Sequence, residues 1–392
     1  MNWNKIKFKK FITLQRGFDL PVTKMKDGKI PVLGSTCIVG YHDKAKVKPP
    51  GVITGRSGTI GVIQYIDKPY WPHNTSLWTK DFKLNYPKFV YYKMKTLNFN
   101  RFNGGASVPT LNRNNLDNLI VLIPDVKTQK KIAEILSNYD EPIDINHRRI
   151  QLLEESARLL FREWFVYFRF PGHKKVKIVD DMPEEWEATT VKECISFISR
   201  GPSINYISEG EDEGIPVLNQ RCIRNGKTEL DSVEYAKELS IKQQGLYVKK
   251  YDILINSMGE GTLGRVSRNL SINYPMIIHN CITVVRANEN IIKQAVLFYR
   301  LRAAQKYLER MGLGSTGQTS LKKEVIARIK ILIPPKELQE RFDLIIKPFW
   351  LEIGVLKVQN QKLAQARDLL LPRLMNGTID VSELNTKIPE EA

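Results

Sequence analysis

The sequence has no glutamate in its first 133 residues, no long apolar run and no Cys-x-x-Cys pair. Without a run of about 18 apolar residues, no membrane-spanning helix is expected. The first ten residues, MNWNKIKFKK, lack the apolar segment of a signal peptide. Four scattered cysteines favour reduced, buried thiols in a cytoplasmic protein over a disulfide framework or a metal site.

Signatures of catalysis are missing too. There is no phosphate-binding G-x-x-x-x-G-K-[ST] loop and no zinc-binding H-E-x-x-H pattern. An amino-methyltransferase needs an Asn/Asp-Pro-Pro-aromatic motif, and the nearest match, Asn273-Tyr274-Pro275, lacks the paired prolines. No paired carboxylates stand out for acid–base chemistry. These absences predict a chain with no catalytic residue and no metal site.

The charge that is present is strongly positive and unevenly distributed. The chain carries 60 Lys and Arg against 42 Asp and Glu, a net charge of +18. Residues 1–127 hold +14 and residues 183–336 hold +5, whereas residues 128–182 and 337–392 hold +1 and −2. This excess favours a polyanionic partner, most simply nucleic acid. The alternative is an ordinary basic protein from a lysine-rich coding background.

The chain contains one internal repeat. Leu122-Ile123-Pro124 matches Leu332-Ile333-Pro334 at a separation of 210 residues, and Gln129 matches Gln339 at the same separation. Earlier segments match at shorter separations: Trp3 with Trp186, Arg16-Gly17 with Arg200-Gly201, Ile30-Pro31-Val32-Leu33 with Ile215-Pro216-Val217-Leu218, and His73-Asn74 with His279-Asn280. Each half is therefore a basic α/β segment followed by a helical one.

One stretch, GEGTLG from Gly259 to Gly264, has the G-x-G-x-x-G spacing of a dinucleotide-binding loop. Its counterpart from Gly55 to Gly61 keeps G-T-[IL]-G but loses that spacing. Both stretches lie between β-rich runs, whereas a dinucleotide loop must open into a helix. We therefore predict tight turns that need glycine for positive φ, and not a cofactor loop.

Heptad patterns mark the two helical segments and predict a seam for helix–helix packing. The seam positions are Ile143, Asn146, Ile150, Leu153, Ala157, Leu160 and Trp164 in the first segment, and Phe349, Ile353, Leu356, Asn360, Leu363, Leu370 and Leu374 in the second. Pro142 suits a helix that starts near Asp140. Pro372 predicts a kink or an end, and Gly377 predicts termination.

Each seam contains one asparagine. Asn360 lies in mid-helix, which predicts a buried polar contact that fixes the register. Asn146 fits either that role or a solvated helix end.

The helices have a length that suits DNA. About 27 residues at 1.5 Å per residue give a length of about 40 Å. This is close to one turn of B-DNA, which is about 34–36 Å long. Two such helices packed together would hold two basic domains a fixed distance apart along a duplex. The alternative is that each helical segment packs only on its own domain.

Two basic domains, each followed by a heptad helix, resemble the specificity subunit of type I restriction–modification systems. The phrases Ile-Pro-x-Leu, G-x-[IL]-G, IPDVKTQKKI, MPEEW and LLLPRLMNGTI are similar to those of that family and follow its order. The resemblance implies a mixed α/β fold in which two pseudo-symmetric DNA-recognition domains are separated by a two-helix antiparallel coiled-coil spacer. We divide the chain into a first target-recognition domain (1–127), a first spacer region with a linker (128–182), a second target-recognition domain (183–336) and a second spacer region with a C-terminal tail (337–392).

The same resemblance implies the partners. Each recognition domain would read one half of a bipartite site in double-stranded DNA, and the helices would dock two modification (methyltransferase) subunits. Two restriction/translocase subunits would join for restriction. S-adenosylmethionine is expected on the methyltransferase partner, and neither a cofactor nor a catalytic residue is expected in this chain.

Candidate DNA contacts divide into phosphate-binding and base-reading groups. The basic residues chosen for phosphate are Lys44, Lys46, Lys48, Arg101, Lys249, Lys250, Arg265 and Arg268. Arginine suits guanine and Asn or Gln suits adenine, which selects Arg56, Asn219, Gln220 and Arg221. Each also fits an ordinary solvated side chain. His73 and His279 fit a buried polar network better than a DNA contact, and the Gly-rich runs 103–107 and 312–316 fit either close contact with a DNA backbone or plain loops.

Two other functions stay open on the sequence alone. The basic domains could form a non-enzymatic scaffold that binds RNA or acidic proteins, and competition between duplex DNA and RNA would separate these. The chain could also be an enzyme with an unrecognised site, which would show activity without a partner.

Overall fold

The computed structural model describes residues 3–103, 108–207, 214–224, 226–230, 232–237, 247–270, 275–311 and 320–383. The chain packs as two compact units. Unit 1 is Met1–Ile145 together with Gln359–Ala392, and unit 2 is Asn146–Val358. The first unit therefore takes residues from both ends of the chain.

Unit 1 combines short strands with a few helices. Its strands are β1 (Trp3–Lys7), β2 (Thr13–Arg16), β3 (Ile30–Leu33), β4 (Ile38–His42), β5 (Gly51–Gly55), β6 (Ile63–Ile66), β7 (Trp71–Pro72), β8 (Ser76–Asp81) and β9 (Ile120–Pro124). Its helices are α1 (Phe8–Phe11), α2 (Pro87–Lys95) and the part of α3 (Val126–Phe165) that ends at residue 145.

The described strands of unit 1 form three sheets: β1-β9, β2-β8-β5-β6 and β4-β3-β7. Pairing is antiparallel except between β3 and β7. Strand β5 lies inside the four-stranded sheet and is buried at every position. Its Val52 shares a core with Leu77 of β8 and with Phe89 and Val90 of α2, so burial of β-branched and aromatic side chains holds the helix on the sheet.

Unit 2 begins inside α3 and ends inside the last helix. Its strands are β10 (Ile178–Val179), β11 (Met182–Pro183), β12 (Glu187–Thr190), β13 (Ile195–Arg200), β14 (Ile215–Leu218), β15 (Ile223–Arg224), β16 (Lys227–Thr228), β17 (Glu234–Ala236), β18 (Ile253–Asn256), β19 (Val266–Arg268), β20 (Ile277–Ile278), β21 (Ile282–Ala287) and β22 (Lys330–Ile333). Its helices are α4 (Val191–Cys194), α5 (Gln294–Ala303), α6 (Gln305–Met311), α7 (Lys323–Ala327) and the part of α8 (Lys336–Met375) that ends at residue 358.

The sheet topology of unit 2 repeats that of unit 1, which confirms the internal repeat. Sheet β12-β22 corresponds to β1-β9, sheet β13-β21-β18-β19 to β2-β8-β5-β6, and sheet β17-β14-β20 to β4-β3-β7. In the three-stranded sheet β17-β14-β20, strands β14 and β20 are parallel, as β3 and β7 are in unit 1. Unit 2 adds the small pairs β10-β11 and β15-β16.

The glycine stretches are β-hairpin turns, as predicted. Gly58 and Gly61 have φ of +85° between β5 and β6, and Gly261 and Gly264 have φ of +68° and +79° between β18 and β19. A Cβ on Gly264 would lie 2.5 Å from the backbone nitrogen of Glu309, so this position needs glycine for space as well as for φ. The GEGTLG stretch therefore opens into a strand.

The repeated glutamines join the start of each long helix to the N-terminus of an earlier helix, α2 in unit 1 and α5 in unit 2. Gln129 Oε1 accepts from the backbone N–H of Tyr86 at 2.9 Å, and Gln339 Oε1 accepts from that of Lys293 at 2.8 Å. Each glutamine also donates through Nε2 to a proline carbonyl five residues earlier, at 3.0 and 2.8 Å. Since both side chains are almost fully buried, these bonds fix the geometry at equivalent corners of the two units.

Within unit 1, the first half of α3 packs antiparallel against the second half of α8. Asp140 pairs with Arg367, and Asn360 Nδ2 donates to the carbonyl of Ile143 at 3.4 Å. In the same unit, Leu136 shares a core with Leu374. As the residue number increases along α3, the residue number of its contact on α8 decreases, which is the pattern of an antiparallel pair.

Within unit 2, the second half of α3 packs antiparallel against the first half of α8. Arg149 pairs with Glu352, and the rings of Phe161 and Phe342 lie 6.2 Å apart. The same core contains residues of α5 and of the four-stranded sheet. The helix halves therefore pack on the sheet and helices of their own unit as well as on each other.

All fourteen predicted seam residues are buried or half-buried. Asn360 is buried and bonded across the helix pair, as expected for a register contact. Asn146 is also buried, and it lies well inside α3, so it is not at a solvated helix end.

The predicted bounds of the first helix are wrong. The helix α3 begins at Val126 and not near Asp140, because Asp125 caps it by accepting from the N–H and hydroxyl of Thr128, both at 2.9 Å. Pro142 therefore lies inside a helix of 40 residues. In α8 the helix continues three residues past Pro372 and ends at Met375, and Gly377 follows with φ of +80°.

A cation, buried in unit 1 and half-buried in unit 2, closes the C-terminus of each long helix. Lys93 Nζ donates to the carbonyl of Met375, the last residue of α8, at 2.7 Å. Arg300 Nη1 donates to the carbonyl of Phe165, the last residue of α3, at 3.2 Å. A cation there satisfies a carbonyl that the helix leaves open and opposes the negative end of the helix dipole. Burial lowers the pKa of Lys93 to about 8 and that of Arg300 to about 10.

Three of the four cysteines are buried as expected, but Cys37 is exposed. Burial raises the pKa of Cys194 and of Cys281 to about 11, so both stay protonated near neutral pH. Among the described helices, none combines the length and apolar character that crossing a bilayer requires.

Candidate nucleic-acid interface

Unit 1 carries a basic groove of about 810 Å³ at one end of its four-stranded sheet. The end of β2, the turn after β5, strand β8 and the segment before β9 form its walls. Its lining residues are Gln15, Arg16, Gly17, Phe18, Asp19, Arg56, Leu77, Lys80, Thr110, Leu111, Asn112 and Arg113. Four cations thus face one carboxylate, in a cleft whose other polar groups can donate and accept hydrogen bonds.

The backbone of the groove is tightly fixed. A Cβ on Gly17 would lie 2.0 Å from the carbonyl oxygen of His73, so glycine lets the end of β2 approach the loop before β8. Arg56 donates its N–H to the carbonyl of Thr75 at 2.8 Å and accepts from the N–H of Leu111 at 2.8 Å. The side chain of Arg56 therefore projects from a backbone that is held on both sides.

Two of the groove cations have protein partners. Arg16 lies 3.4 Å from Asp19, a pair too exposed to contribute more than about 1 kcal/mol. Asp19 also accepts from the amide of Asn74. Arg113 Nη1 donates to the carbonyl of Leu14 at 3.2 Å.

The side chains of the other two groove cations, Arg56 and Lys80, have no hydrogen-bond or ion-pair partner among the residues that the structure describes. Arg56 is half-buried and Lys80 is exposed. Because the guanidinium of Arg56 is both partly desolvated and unpaired, the groove favours an anionic ligand or one rich in hydrogen-bond acceptors.

The residue at the equivalent position of unit 2 is Ser257, and it is buried. Ser257 donates its N–H to the carbonyl of Cys281 at 2.7 Å and accepts from the N–H of Leu321 at 2.9 Å, the same two bonds that Arg56 makes in unit 1. Its hydroxyl lies 2.6 Å from that of Thr283, and the residue is fully buried. A small buried hydroxyl thus stands where unit 1 has a cation.

Two cations at this end of unit 2 are engaged within the protein, whereas Lys323, in the place of Arg113, is exposed. Arg200, in the place of Arg16, donates from Nη2 to a backbone oxygen at 2.9 Å and to a serine hydroxyl at 3.0 Å. Arg286, in the place of Lys80 by strand register, forms two bonds to Asp252 at 2.7 and 2.8 Å. The two units therefore share a fold but not the chemistry of this surface.

The predicted contacts of unit 1 are spread over its surface. Lys44, Lys46, Lys48 and Arg101 are exposed. Lys46 Nζ lies 5.0 Å from the ring centroid of a tryptophan, and Arg101 lies 4.8 Å from that of a phenylalanine. Arg56 alone among the predicted residues lines the groove.

The predicted base readers of unit 2 follow β14. Asn219 is buried, and its side chain accepts from the N–H of Arg221 at 2.9 Å and donates to Glu234 at 3.1 Å. Gln220 is half-buried. Arg221 is exposed and lies 2.9 Å from Glu234. Asn219 therefore supports the local backbone and is not presented to a surface ligand in this conformation.

The predicted phosphate contacts of unit 2 differ in exposure. Lys249 and Lys250 are exposed, and Arg265 is half-buried with Nη2 donating to a glycine carbonyl at 2.8 Å. Arg268 is only 2% exposed and bonds Glu154 at 2.8 Å, so it too is not presented at the surface. For all twelve residues, contact with DNA remains a prediction.

Sequence reasoning missed Arg16, Lys80 and Arg113. The repeated Arg-Gly step contained a signal for Arg16, but nothing local marks the other two, which come from distant segments. The repeated histidines are half-buried in equivalent places: His73 and His279 each donate the backbone N–H to a leucine carbonyl at 2.9 Å. Residues 104–107 and 312–316 of the Gly-rich runs lie outside the described residues.

No group of three or more His, Cys, Asp or Glu side chains in the described ranges is arranged to hold a metal ion.

Comparison with known proteins adds the family. The sequence profile described as "Type I restriction modification DNA specificity domain" matches residues 1–155 and 183–365. The Type I restriction enzyme MjaIX specificity subunit of Methanocaldococcus jannaschii is 25% identical over 311 residues, which cover 76% of this chain and 70% of the relative. The Type I restriction enzyme HindI specificity subunit of Haemophilus influenzae is 25% identical over 338 residues, 70% of this chain and 72% of the relative.

Among solved structures, the S subunit of a type I restriction-modification system from M. genitalium superposes with a TM-score of 0.63. The alignment covers 97% of each chain at 19% identity. This similarity supports the fold: mixed α/β, with two sheet-rich units and two long helices.

Proposed function

The chain belongs to the family of Type I restriction modification DNA specificity domains, and from that membership we propose that it selects the duplex DNA sites on which a type I restriction–modification enzyme acts. Each unit reads one half of a bipartite site. The observation that carries this proposal is the groove of unit 1, where four cations, two of them without a partner in the described structure, line one cleft. Cations of this kind bind the phosphates and base edges of DNA.

Chemistry is left to partner subunits in this proposal. Two modification subunits bind S-adenosylmethionine and methylate an adenine that is flipped out of the duplex, and two restriction/translocase subunits join for restriction. This chain positions the modification subunits on the DNA and has no cofactor or catalytic residue of its own. It acts in the cytoplasm, where its DNA partner is.

The helices supply a surface for the modification subunits. Within unit 2, Leu152 and Leu159 lie seven residues apart on α3 and are 51% and 36% exposed. Leu344 and Leu351 have the same spacing on α8 and are 74% and 47% exposed. Apolar side chains repeated on an outward helix face favour another helix as the partner.

Docking can be tested by co-purification with the methyltransferase subunit. Changing Leu152 and Leu159 together to Asp should abolish co-purification, because two charges would be buried in an apolar contact. The exposed neighbour Gln151→Asp is the matched control and should co-purify normally. Equal retention of both variants would show that the subunits dock elsewhere.

We further propose that the two helices set the spacing of the half-sites. At 40 residues each is about 60 Å long at 1.5 Å per residue, longer than the 27 residues inferred from the heptads alone. Inserting one heptad after residue 145 and one after residue 358 lengthens both helices by about 10 Å. At about 3.4 Å per base pair, the gap in the recognised sequence should grow by about three base pairs. Insertion into one helix alone should disrupt the seam, and an unchanged gap after the double insertion would contradict the spacer role.

The central test is to map methylated adenines. Cells without endogenous adenine methylation would carry the chain together with its methyltransferase subunit, and their DNA would be sequenced for methyl-adenine. A split motif with a fixed gap is expected, and methylation that needs no specificity chain would overturn the proposal.

Salt dependence and competition separate DNA reading from the scaffold alternative. With six to ten phosphate contacts, duplex affinity should fall about 10³- to 10⁵-fold between 50 and 200 mM salt. Duplex DNA should displace structured RNA from the protein. Flat salt dependence, or preference for RNA, would instead favour the RNA-binding scaffold.

A further inference from the structure

One position in the fold carries opposite chemistry in the two units. Arg56 and Ser257 make the same pair of backbone hydrogen bonds, to Thr75 and Leu111 in one unit and to Cys281 and Leu321 in the other. The structural equivalence is therefore set by the backbone and does not depend on matching the side chains. In unit 1 the side chain lines an open groove, and in unit 2 it is sealed in the core.

The setting of Arg56 suits reading a base more than holding a phosphate. Its backbone is fixed by two bonds of 2.8 Å, so the guanidinium starts from a defined point. The side chain is half-buried and unpaired among the described residues, which preserves all five of its donors. A guanidinium with its donors free, projecting from a fixed backbone, matches the two acceptors that guanine presents in the major groove, O6 and N7.

The surrounding cations suit the phosphates. Arg16, Lys80 and Arg113 are exposed, line the same groove and come from separate segments of unit 1. Flexible exposed cations tolerate any sequence, because every nucleotide presents the same phosphate oxygens. Direct readout combines a side chain that contacts a base with cations that bind the neighbouring phosphates. Arg56 and the three cations around it have this arrangement.

We propose that Arg56 reads a guanine in the half-site bound by unit 1, while Arg16, Lys80 and Arg113 bind flanking phosphates, and that unit 2 reads no base from the equivalent place. This inference rests on the proposed function, since it assigns one base contact within it. It makes the two half-sites unequal: the guanine that depends on Arg56 occurs on one side of the gap only.

The discriminating variant is Arg56→Lys. Lysine keeps the charge but loses the planar two-donor fork that matches guanine. Methylation motifs would be mapped for the complex of the full chain with its methyltransferase subunit, and binding would be measured on duplexes carrying each base at each motif position. We expect discrimination at one G·C pair of one half-site to fall about 10- to 100-fold, with the other half-site and the slope of affinity against salt unchanged.

Lys80→Ala is the matched control from the same groove. It should weaken binding to all duplexes about equally and reduce the salt slope by about one, without changing the motif. The intact preference for the second half-site shows in the same experiment that Arg56→Lys is folded and assembled.

Three results would overturn the inference: an unchanged motif in Arg56→Lys, relaxation at an A·T pair, or a loss equal for all sequences. In each of these the wild-type motif stands and the proposed function survives. If the wild-type complex itself shows no sequence-specific methylation or binding, the proposed function fails first and the inference with it.

Discussion

The buried ion pair between Glu154 and Arg268 should control the stability of unit 2. Glu154 lies on α3 and bonds Arg268 of β19 at 2.8 Å, with side-chain exposures of 21% and 2%. The guanidinium also lies 4.6 Å from the ring of Phe298 and 4.7 Å from that of Trp350. The pair therefore ties the helix to the four-stranded sheet through a cation that water scarcely reaches. Glu154→Gln keeps the size of the side chain but removes the charge that compensates Arg268.

The magnitude follows from the burial. Removing one partner of a buried pair costs about 3–5 kcal/mol, because it leaves an uncompensated charge in the interior. Glu154 is one-fifth exposed, so some solvent can reach its end of the pair and the lower value, about 3 kcal/mol, applies. If the amides exchange through opening of the whole unit, this corresponds to exchange about 100-fold faster.

Hydrogen exchange read by mass spectrometry would measure this loss in each unit separately. Peptides covering β19 and α5 should lose protection, while those of unit 1 serve as the internal reference. Glu155→Gln is the control, because its pair with Arg158 is about half exposed on both sides and contributes little. The double variant Glu154→Leu/Arg268→Met should recover much of the loss. Exchange in Glu154→Gln within threefold of wild type would refute the reasoning.

Three further outcomes follow from individual contacts. Burial lowers the pKa of Lys93 from 10.5 to about 8, so between pH 8 and pH 10.5 the unfolded chain binds a proton that the folded unit does not. The free energy of unfolding of unit 1 should therefore rise by about 2–3 kcal/mol over this pH range. Urea titrations at pH 7.5, 9 and 10 should show the rise in the wild type and not in Lys93→Met. In melting experiments, Gly264→Ala should destabilise unit 2 far more than Gly261→Ala, because both have positive φ but a Cβ at Gly261 meets nothing within 4 Å; the strain alone costs about 1–2 kcal/mol. Gln339→Ala removes three hydrogen bonds, one buried and two partly buried, and should cost about 2–4 kcal/mol in urea titration, whereas the exposed Gln361→Ala should stay within about 0.5 kcal/mol of wild type.

Features encoded in local sequence were predictable. The hairpin turn at GEGTLG followed from glycine spacing between β-rich runs, and the seam from heptads whose residues are all buried or half-buried. The sequence pattern does not locate the start of α3, because Pro142 fits a first-turn residue whereas the capping aspartate lies seventeen positions earlier. The proline and the capping aspartate predict two different start points for the helix. The tertiary packing of α3 determines which of them is the actual start.

The site was less predictable because its residues meet only in three dimensions. Arg56 was identified from the turn beside it, but Lys80 and Arg113 reach the same groove from distant segments. Arg268 looked like a surface cation in the sequence and is 2% exposed, since its partner Glu154 lies 114 residues away. Pairing across such distances leaves no local pattern.

The composition of unit 1 also has a consequence for biosynthesis. Its Lys93 closes the end of α8 at Met375, and its core includes Leu371 and Val381, so unit 1, whose other residues precede those of unit 2, is complete only once residue 381 has been made. The later unit can finish earlier. A truncated chain that ends at residue 358, once released from the ribosome, should resist brief proteolysis over residues 146–358 and should still be cut in the first 145.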